Sequence, residues 1–181
     1  YLVRDMLSQA EHDPEAGAFL VTTSEKQVKK VVDRIKKLVP KLPRKKIIED
    51  SFKNRSAIIL AKDLEEMFEL VNEFAPEHLE ILTKEPFDDL YRIRNAGAIF
   101  LGPNTPEPVG DYFAGPNHTL PTSACAKFSS PLGVQDFVKT SSVISYSAER
   151  LKNQGEQIIR FAEEEELFSH AAAIQTRLDN F

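Results

Sequence analysis

Apolar positions along the chain change period several times, and each change marks a different element. Leu2, Val3, Met6, Leu7 and Ala10 recur at helical spacing over 2–12, and Pro14 and Gly17 punctuate the end. AFLVTT (18–23) is a short apolar, β-branched run, which predicts a buried strand. From Ser24 the period turns helical again. Val28, Val31, Val32, Ile35 and Leu38 form one stripe, Ser24 and Gln27 fit a capping box, and Pro40 and Pro43 stop the helix. The alternation continues with a helix over 44–54, a strand at AIILA (57–61), and a helix LEEMFELVNEF capped by Asp63. A strand at 79–83, a helix DDLYRIRN opened by Pro86, and a fourth strand AGAIFL (96–101) complete the series. Strands that alternate with helices predict the α/β class, a parallel Rossmann-like layer with helices on both faces.

The texture then changes. Gly97, Gly102, Gly110, Gly115 and Gly133 fall between 97 and 133, together with Pro103, Pro106, Pro108, Pro116 and Pro121. A long irregular stretch after a strand is functional or disordered. This one holds GDYFAGPNH, so an ordered loop is expected at the strand C-terminal edge, where open α/β sheets bind ligands. From about 133 a short amphipathic piece, a strand-like SVISYS (142–147) and two helices follow. The expected organisation is an α/β portion over 1–132 and a small, mainly helical domain over 133–181.

Composition narrows the classes. Of 181 residues, 41% are hydrophobic and 28% charged, which describes a globular chain able to bury a core. The net charge of −5, without basic runs interleaved with aromatics, argues against nucleic acid. No apolar run approaches the ~20 residues of a membrane span, and no signal peptide is visible. One cysteine, Cys125, allows no internal disulfide and suits a reducing compartment, so a cytoplasmic location is expected. The chain opens on Tyr1 inside a predicted helix, the expectation for a piece of something longer.

The four histidines are the candidate chemistry. Gln9 lies three residues before His12, which puts both on one helix face. Glu77 precedes His78, Asp111 lies upstream of His118 across the Gly/Pro loop, and Glu165 lies five before His170. Imidazole and carboxylate are the usual zinc ligands, and an amide oxygen is a rarer third kind. Each pair alone also fits a solvated helix face or a turn, and spacing by itself does not establish a metal site.

Larger strings carry more weight. QAEH (9–12), APEHLE (75–80), AGAIFLG (96–102), GDYFAGPNHTLPT (110–122) and ELFSHAAAI (166–174) occur in this order. In them the whole chain resembles histidinol dehydrogenase, over the C-terminal portion of that family's length. The resemblance implies zinc held by Gln9, His12, Asp111 and His170, the last from the other subunit of an intertwined homodimer. It implies that Glu165 and His118 bind the substrate, L-histidinol, along with Gln9, His12, His78, Asp111 and His170, and that Glu77 and His78 are the acid/base pair. The absent upstream part is where the family keeps most NAD contacts and one substrate-binding serine, in keeping with the lack of a Gly-x-Gly-x-x-Gly loop here. Cys125, in SACAK, departs from the glycine frequent in the family.

The implied activity is oxidation of L-histidinol to histidinal and then histidine with two NAD+, the last step of histidine biosynthesis. A base near neutral pH suits the hydroxyl proton, which fits His78, and a carboxylate such as Glu77 suits activation of water for the aldehyde step. The competing expectations are a related zinc- and NAD-dependent dehydrogenase for another small alcohol, and a non-catalytic assembly module. The 181 residues alone are expected to be inactive.

Overall fold

Among the described residues every strand is four residues long and finds one parallel neighbour. In the computed structural model, which describes residues 1–180, β1 (Phe19–Thr22) pairs with β2 (Ala57–Leu60), starting at Phe19 opposite Ala57. β3 (His78–Ile81) pairs with β4 (Ala98–Leu101), with His78 opposite Ala98 and Glu80 opposite Phe100. The chain is therefore mixed α/β with parallel pairing, and among the described residues the strands form two two-stranded sheets rather than one four-stranded layer.

Three of the helices begin at side-chain caps. α1 (Leu2–Ala10) precedes β1. α2 (Glu25–Leu38) starts at Ser24, whose hydroxyl oxygen accepts from the Gln27 amide at 3.3 Å. α3 (Lys45–Asn54) leads into β2. α4 (Leu64–Phe74) starts at Asp63, which accepts from the Glu66 amide at 2.9 Å. Each cap satisfies an amide that the first turn leaves unpaired, worth about 1 kcal/mol. α5 (Pro86–Asp89) is a single turn continued by a 3-10 turn, and α6 (Glu107–Tyr112) follows β4. The segment read as a ligand loop thus contains a helix, with Asp111 on it.

Two compact units divide the chain, Tyr1–Phe137 and Val138–Phe181. The core of the first is built by Met6, Leu7 and Ala10 of α1, Leu20 of β1, Val31 of α2 and Ile48 of α3. Ser51 is fully buried beside them and donates its hydroxyl to the Ala16 carbonyl at 2.6 Å, so its polar atom is not stranded.

In the second unit, α7 (Ala148–Glu164) and α8 (Phe168–Asp179) pack as an antiparallel pair around Ala162 and Ala171. Gly155 permits the close approach, since a Cβ there would stand 2.7 Å from the Leu178 side chain. The strand expected at 142–147 is absent. Val143 and Ile144 are 94% and 83% exposed, and a β-branched run without a strand to bond to gains nothing from extending into a ladder.

Candidate active site

Alternation along β3 sends His78 and Glu80 to one face of the second sheet. Across the register, Phe100 of β4 is buried beneath that face, its ring centroid 6.0 Å from that of His78. α6 lies directly on Phe100. At Gly110 a Cβ would come within 2.6 Å of the Phe100 ring, so only glycine lets the helix sit this low. Glu107 and Asp111 are four residues apart on α6 and share the face that meets His78. Asp111 Oδ1 stands 3.7 Å and Glu107 Oε1 4.0 Å from His78 Nε2. Both ring nitrogens of His78 are buried without a hydrogen-bond partner.

The entry to β3 is fixed from two sides. α4 ends in a left-handed residue, Ala75 (φ 47°), which turns the chain sharply into Pro76, Glu77 and His78. Opposite, Gly97 donates its amide to the Pro76 carbonyl at 2.9 Å, and Ala98 donates to the Glu77 carbonyl at 2.8 Å. A Cβ on Gly97 would stand 2.6 Å from the Glu77 carbonyl oxygen, so the backbones touch where the Glu-His pair begins. The segment before Gly97 is held by Asn72, a buried side chain on α4. Its amide nitrogen donates to the carbonyls of Phe68 and Arg92, and its oxygen accepts from the amides of Arg94 and Asn95.

The acidic groups crowd one another. Glu107, 8% exposed, has its carboxyl pushed up to about 7, first by burial and then by its hydrogen bond and charge interaction with Asp111. The charges of Glu80 and Glu77 act in the same direction. Glu80 is also raised, chiefly by burial and further by Asp5, with which it shares a hydrogen bond; the amide of Glu107, donating to Glu80 Oε1 at 2.9 Å, opposes the rise. Because Asp5 reaches Glu80, the face of α1 carrying Asp5 and, one turn on, Gln9 is turned toward β3.

Of the residues singled out in the sequence, His78 and Asp111 come together, with Glu77 half-buried and close enough to act on Glu107. Gln9 is half-buried on α1, and His12 is exposed in the turn after it. Asp111 and His118 both line a cavity of about 300 Å³ over β4, although His118 is largely exposed. Glu165 and His170 lie in the second unit, at the end of α7 and in the first turn of α8, both exposed. Sequence reading passed over Glu107 and Glu80. Glu107 carried one usable signal, its position four residues before Asp111.

Imidazole nitrogen and carboxylate oxygen are donors that zinc accepts. His78, Glu107 and Asp111 offer ligand atoms within 4.8 Å of one another, and the two unpartnered nitrogens of His78 leave that group short of a hydrogen-bond or metal partner. That donor set is of the kind a divalent cation accepts, but of the ligands inferred from the sequence it contains only Asp111. A wider depression at the carboxyl ends of β1 and β2 is lined by Glu25, Lys62 and Glu66, where the Lys62 amide is already taken by Glu66 at 2.6 Å.

Residues 1–178 match the family model described as histidinol dehydrogenase. The chain is 51% identical over 179 residues to a protein of Listeria monocytogenes named histidinol dehydrogenase, covering 99% of this chain and 42% of the relative. It is 49% identical over 180 residues to one of the same name from Helicobacter hepaticus, covering 41% of it. The crystal structure of histidinol dehydrogenase from Elizabethkingia anophelis superposes with a TM-score of 0.88 at 32% identity, over 99% of this chain and 41% of that one. The chain thus spans about two fifths of the length of the relatives it matches.

Proposed function

The chain belongs to the histidinol dehydrogenase family, and on that premise we propose that, within a protein of its relatives' length, it oxidises L-histidinol through histidinal to L-histidine. The single observation that carries the reading is the convergence of His78 and Asp111, 3.7 Å apart across β3 and α6, in a chain whose family match runs through both. In this proposal two molecules of NAD+ are reduced per histidinol. No dinucleotide loop motif occurs in the sequence, so the NAD+ contacts are assigned to the part of the relatives that this chain does not span.

Zinc would be held by Gln9, His12 and Asp111, with the partner subunit's His170 as the fourth ligand in a homodimer. When bound, zinc supplies a cation that orients the imidazole and amine of histidinol. The chain's own side chains do the rest. His78, whose ring nitrogens are buried and unpartnered, accepts the hydroxyl proton as the first hydride leaves. Glu77 accepts a proton from the water that adds to the aldehyde, which prepares the second hydride loss. His118, on the cavity it shares with Asp111, and the partner subunit's Glu165 bind polar groups of the substrate. Holding the carbinol carbon in one orientation through both oxidations supplies the proximity that each transfer needs.

The variants that test this separate metal from proton transfer. In the full-length protein, His12→Asn and His170→Asn are expected to lower zinc content and activity together. Glu77→Gln is expected to retain zinc and slow the aldehyde step most. Zinc content unchanged in both histidine variants would refute the ligand set, and equal loss in both half-reactions of Glu77→Gln would refute the division of labour. A related dehydrogenase for another small alcohol would instead favour simple diols over histidinol.

A further inference from the structure

Glu107 belongs neither to the proposed zinc ligands nor to the proposed proton-transfer pair, yet it is the most buried carboxylate of the site. It is 8% exposed, its Oε1 lies 4.0 Å from His78 Nε2, and it places a carboxylate oxygen within 4.8 Å of the ligand atoms of both His78 and Asp111, the latter one turn on along α6. Its backbone amide is anchored at the same time, donating to Glu80 Oε1 at 2.9 Å. A carboxyl so deeply buried costs free energy unless its partners repay the lost hydration, and the partners here are the proton acceptor and a metal ligand. The low seat of α6 on Phe100, which only Gly110 allows, brings Glu107 to this depth.

We propose that Glu107 is a positioning residue for the reaction: its carboxyl bridges Asp111 and the Nε2 side of His78, and so sets the metal-binding carboxylate and the proton-accepting imidazole relative to one another. The role rests on the assignment of His78 and Asp111 under the proposed function. In this role Glu107 acts through the two side chains it faces, His78 and Asp111. Partners standing behind metal ligands fix ligand orientation, and their removal commonly costs 10–100-fold in metal affinity or activity.

Three variants in the full-length protein test the proposal. Glu107→Leu fills the site without polar atoms, Glu107→Gln keeps an oxygen and gains an amide that can donate to Asp111, and Glu107→Asp withdraws the carboxyl by one methylene, about 1.5 Å. Zinc affinity and kcat are expected to fall about 10–100-fold in Glu107→Leu and less in Glu107→Asp, with KM for NAD+ within about twofold. Glu107→Gln is expected to recover most of both. The visible absorption of the cobalt(II)-loaded protein is expected to be the same for Glu107→Gln and wild type, because a positioning residue leaves the ligand set intact. A changed cobalt spectrum would make Glu107 itself a ligand and overturn the proposal. So would zinc affinity and kcat within twofold of wild type in Glu107→Asp, the variant that retains a carboxyl should Glu107→Leu not fold. Failure of the functional reading has a separate sign, a wild-type protein that neither binds zinc nor oxidises histidinol. In that case the His78 ring signals of the metal-free protein still decide the geometry: they are expected to shift in Glu107→Asp and Glu107→Leu and to stay near wild type in Glu107→Gln, and unshifted signals in the first two overturn it.

Discussion

Gly97→Ala is the smallest change that strains the start of β3. The added Cβ would stand 2.6 Å from the Glu77 carbonyl oxygen and 3.1 Å from Pro121 Cδ. Reaching ordinary contact with that oxygen requires a separation of about 0.8 Å more than the structure allows. The same oxygen accepts from the Ala98 amide at 2.8 Å, so a displacement of this size takes that bond beyond hydrogen-bond range. Losing the bond costs about 1 kcal/mol and overpacking a further 1–3 kcal/mol, for a total of about 2–4 kcal/mol. Because Glu77 and His78 move with their backbone, a shift approaching 1 Å is expected to lower kcat by roughly 10–100-fold. Steady-state NADH formation by the full-length protein, with zinc content and urea unfolding measured alongside, reads all three quantities. Gly133→Ala is the control, since the nearest atom to its Cβ would be the Pro131 carbonyl oxygen at 3.9 Å. A Gly97→Ala protein as stable and as active as the Gly133→Ala control would refute the close contact between Gly97 and the Glu-His segment.

Three more outcomes follow from the same packing. Gly110→Ala gains about 1 kcal/mol of helix propensity but drives a Cβ into Phe100, so a net loss of about 1 kcal/mol and weaker zinc binding are expected; adding Phe100→Leu should restore both, as a double-mutant cycle in unfolding and zinc titration would show. Asn72→Ala leaves the Arg94 and Asn95 amides without their acceptor and should cost about 2–4 kcal/mol, with faster hydrogen exchange at those two amides. In the zinc-free protein the raised carboxyl of Glu107 makes stability pH-dependent. The folded state holds its proton up to about 7 while the unfolded chain releases it near 4.5, so the contribution is complete below 4.5 and disappears as pH rises through 7. Unfolding free energies from urea titrations at pH 5 and pH 8 should differ by up to about 3 kcal/mol in wild type, and by clearly less in Glu107→Gln.

Much of this architecture was legible in the sequence because the signals were local. The stripe through Val28, Val31 and Ile35 and the caps at Ser24 and Asp63 each act within one helical turn, and α2 and α4 begin where those caps place them. The run at 142–147 misled for the complementary reason. β-Branched composition fits a pleated surface, but a strand also needs a neighbour, and pairing is not written in the run itself. The division of the strands into two sheets is long-range in the same sense. α6 was hidden by Pro108 and Gly110, which read as loop residues. Pro108 occupies the first helical turn, where a missing amide hydrogen costs nothing, and Gly110 is required by Phe100 from another element. His78 stood out as an imidazole beside Glu77 and Asp111 as a carboxylate in the Gly/Pro loop; both took their roles from the family resemblance, and the seating of α6 explains their approach. Glu107 was missed because a glutamate within PEPVGDY carries no sign of burial. Its depth comes from β3 and β4, which are distant in sequence.

The central claim is that this chain, within a protein of its relatives' length, carries the proton-transfer and metal-binding residues of histidinol oxidation. The most direct test is the number of NADH molecules formed per L-histidinol consumed by the full-length protein, with zinc and after its removal. Two NADH per histidinol with zinc, and none after removal until zinc is restored, is the predicted result. No NADH from histidinol by the zinc-loaded protein, or undiminished formation once zinc is stripped, would contradict the account.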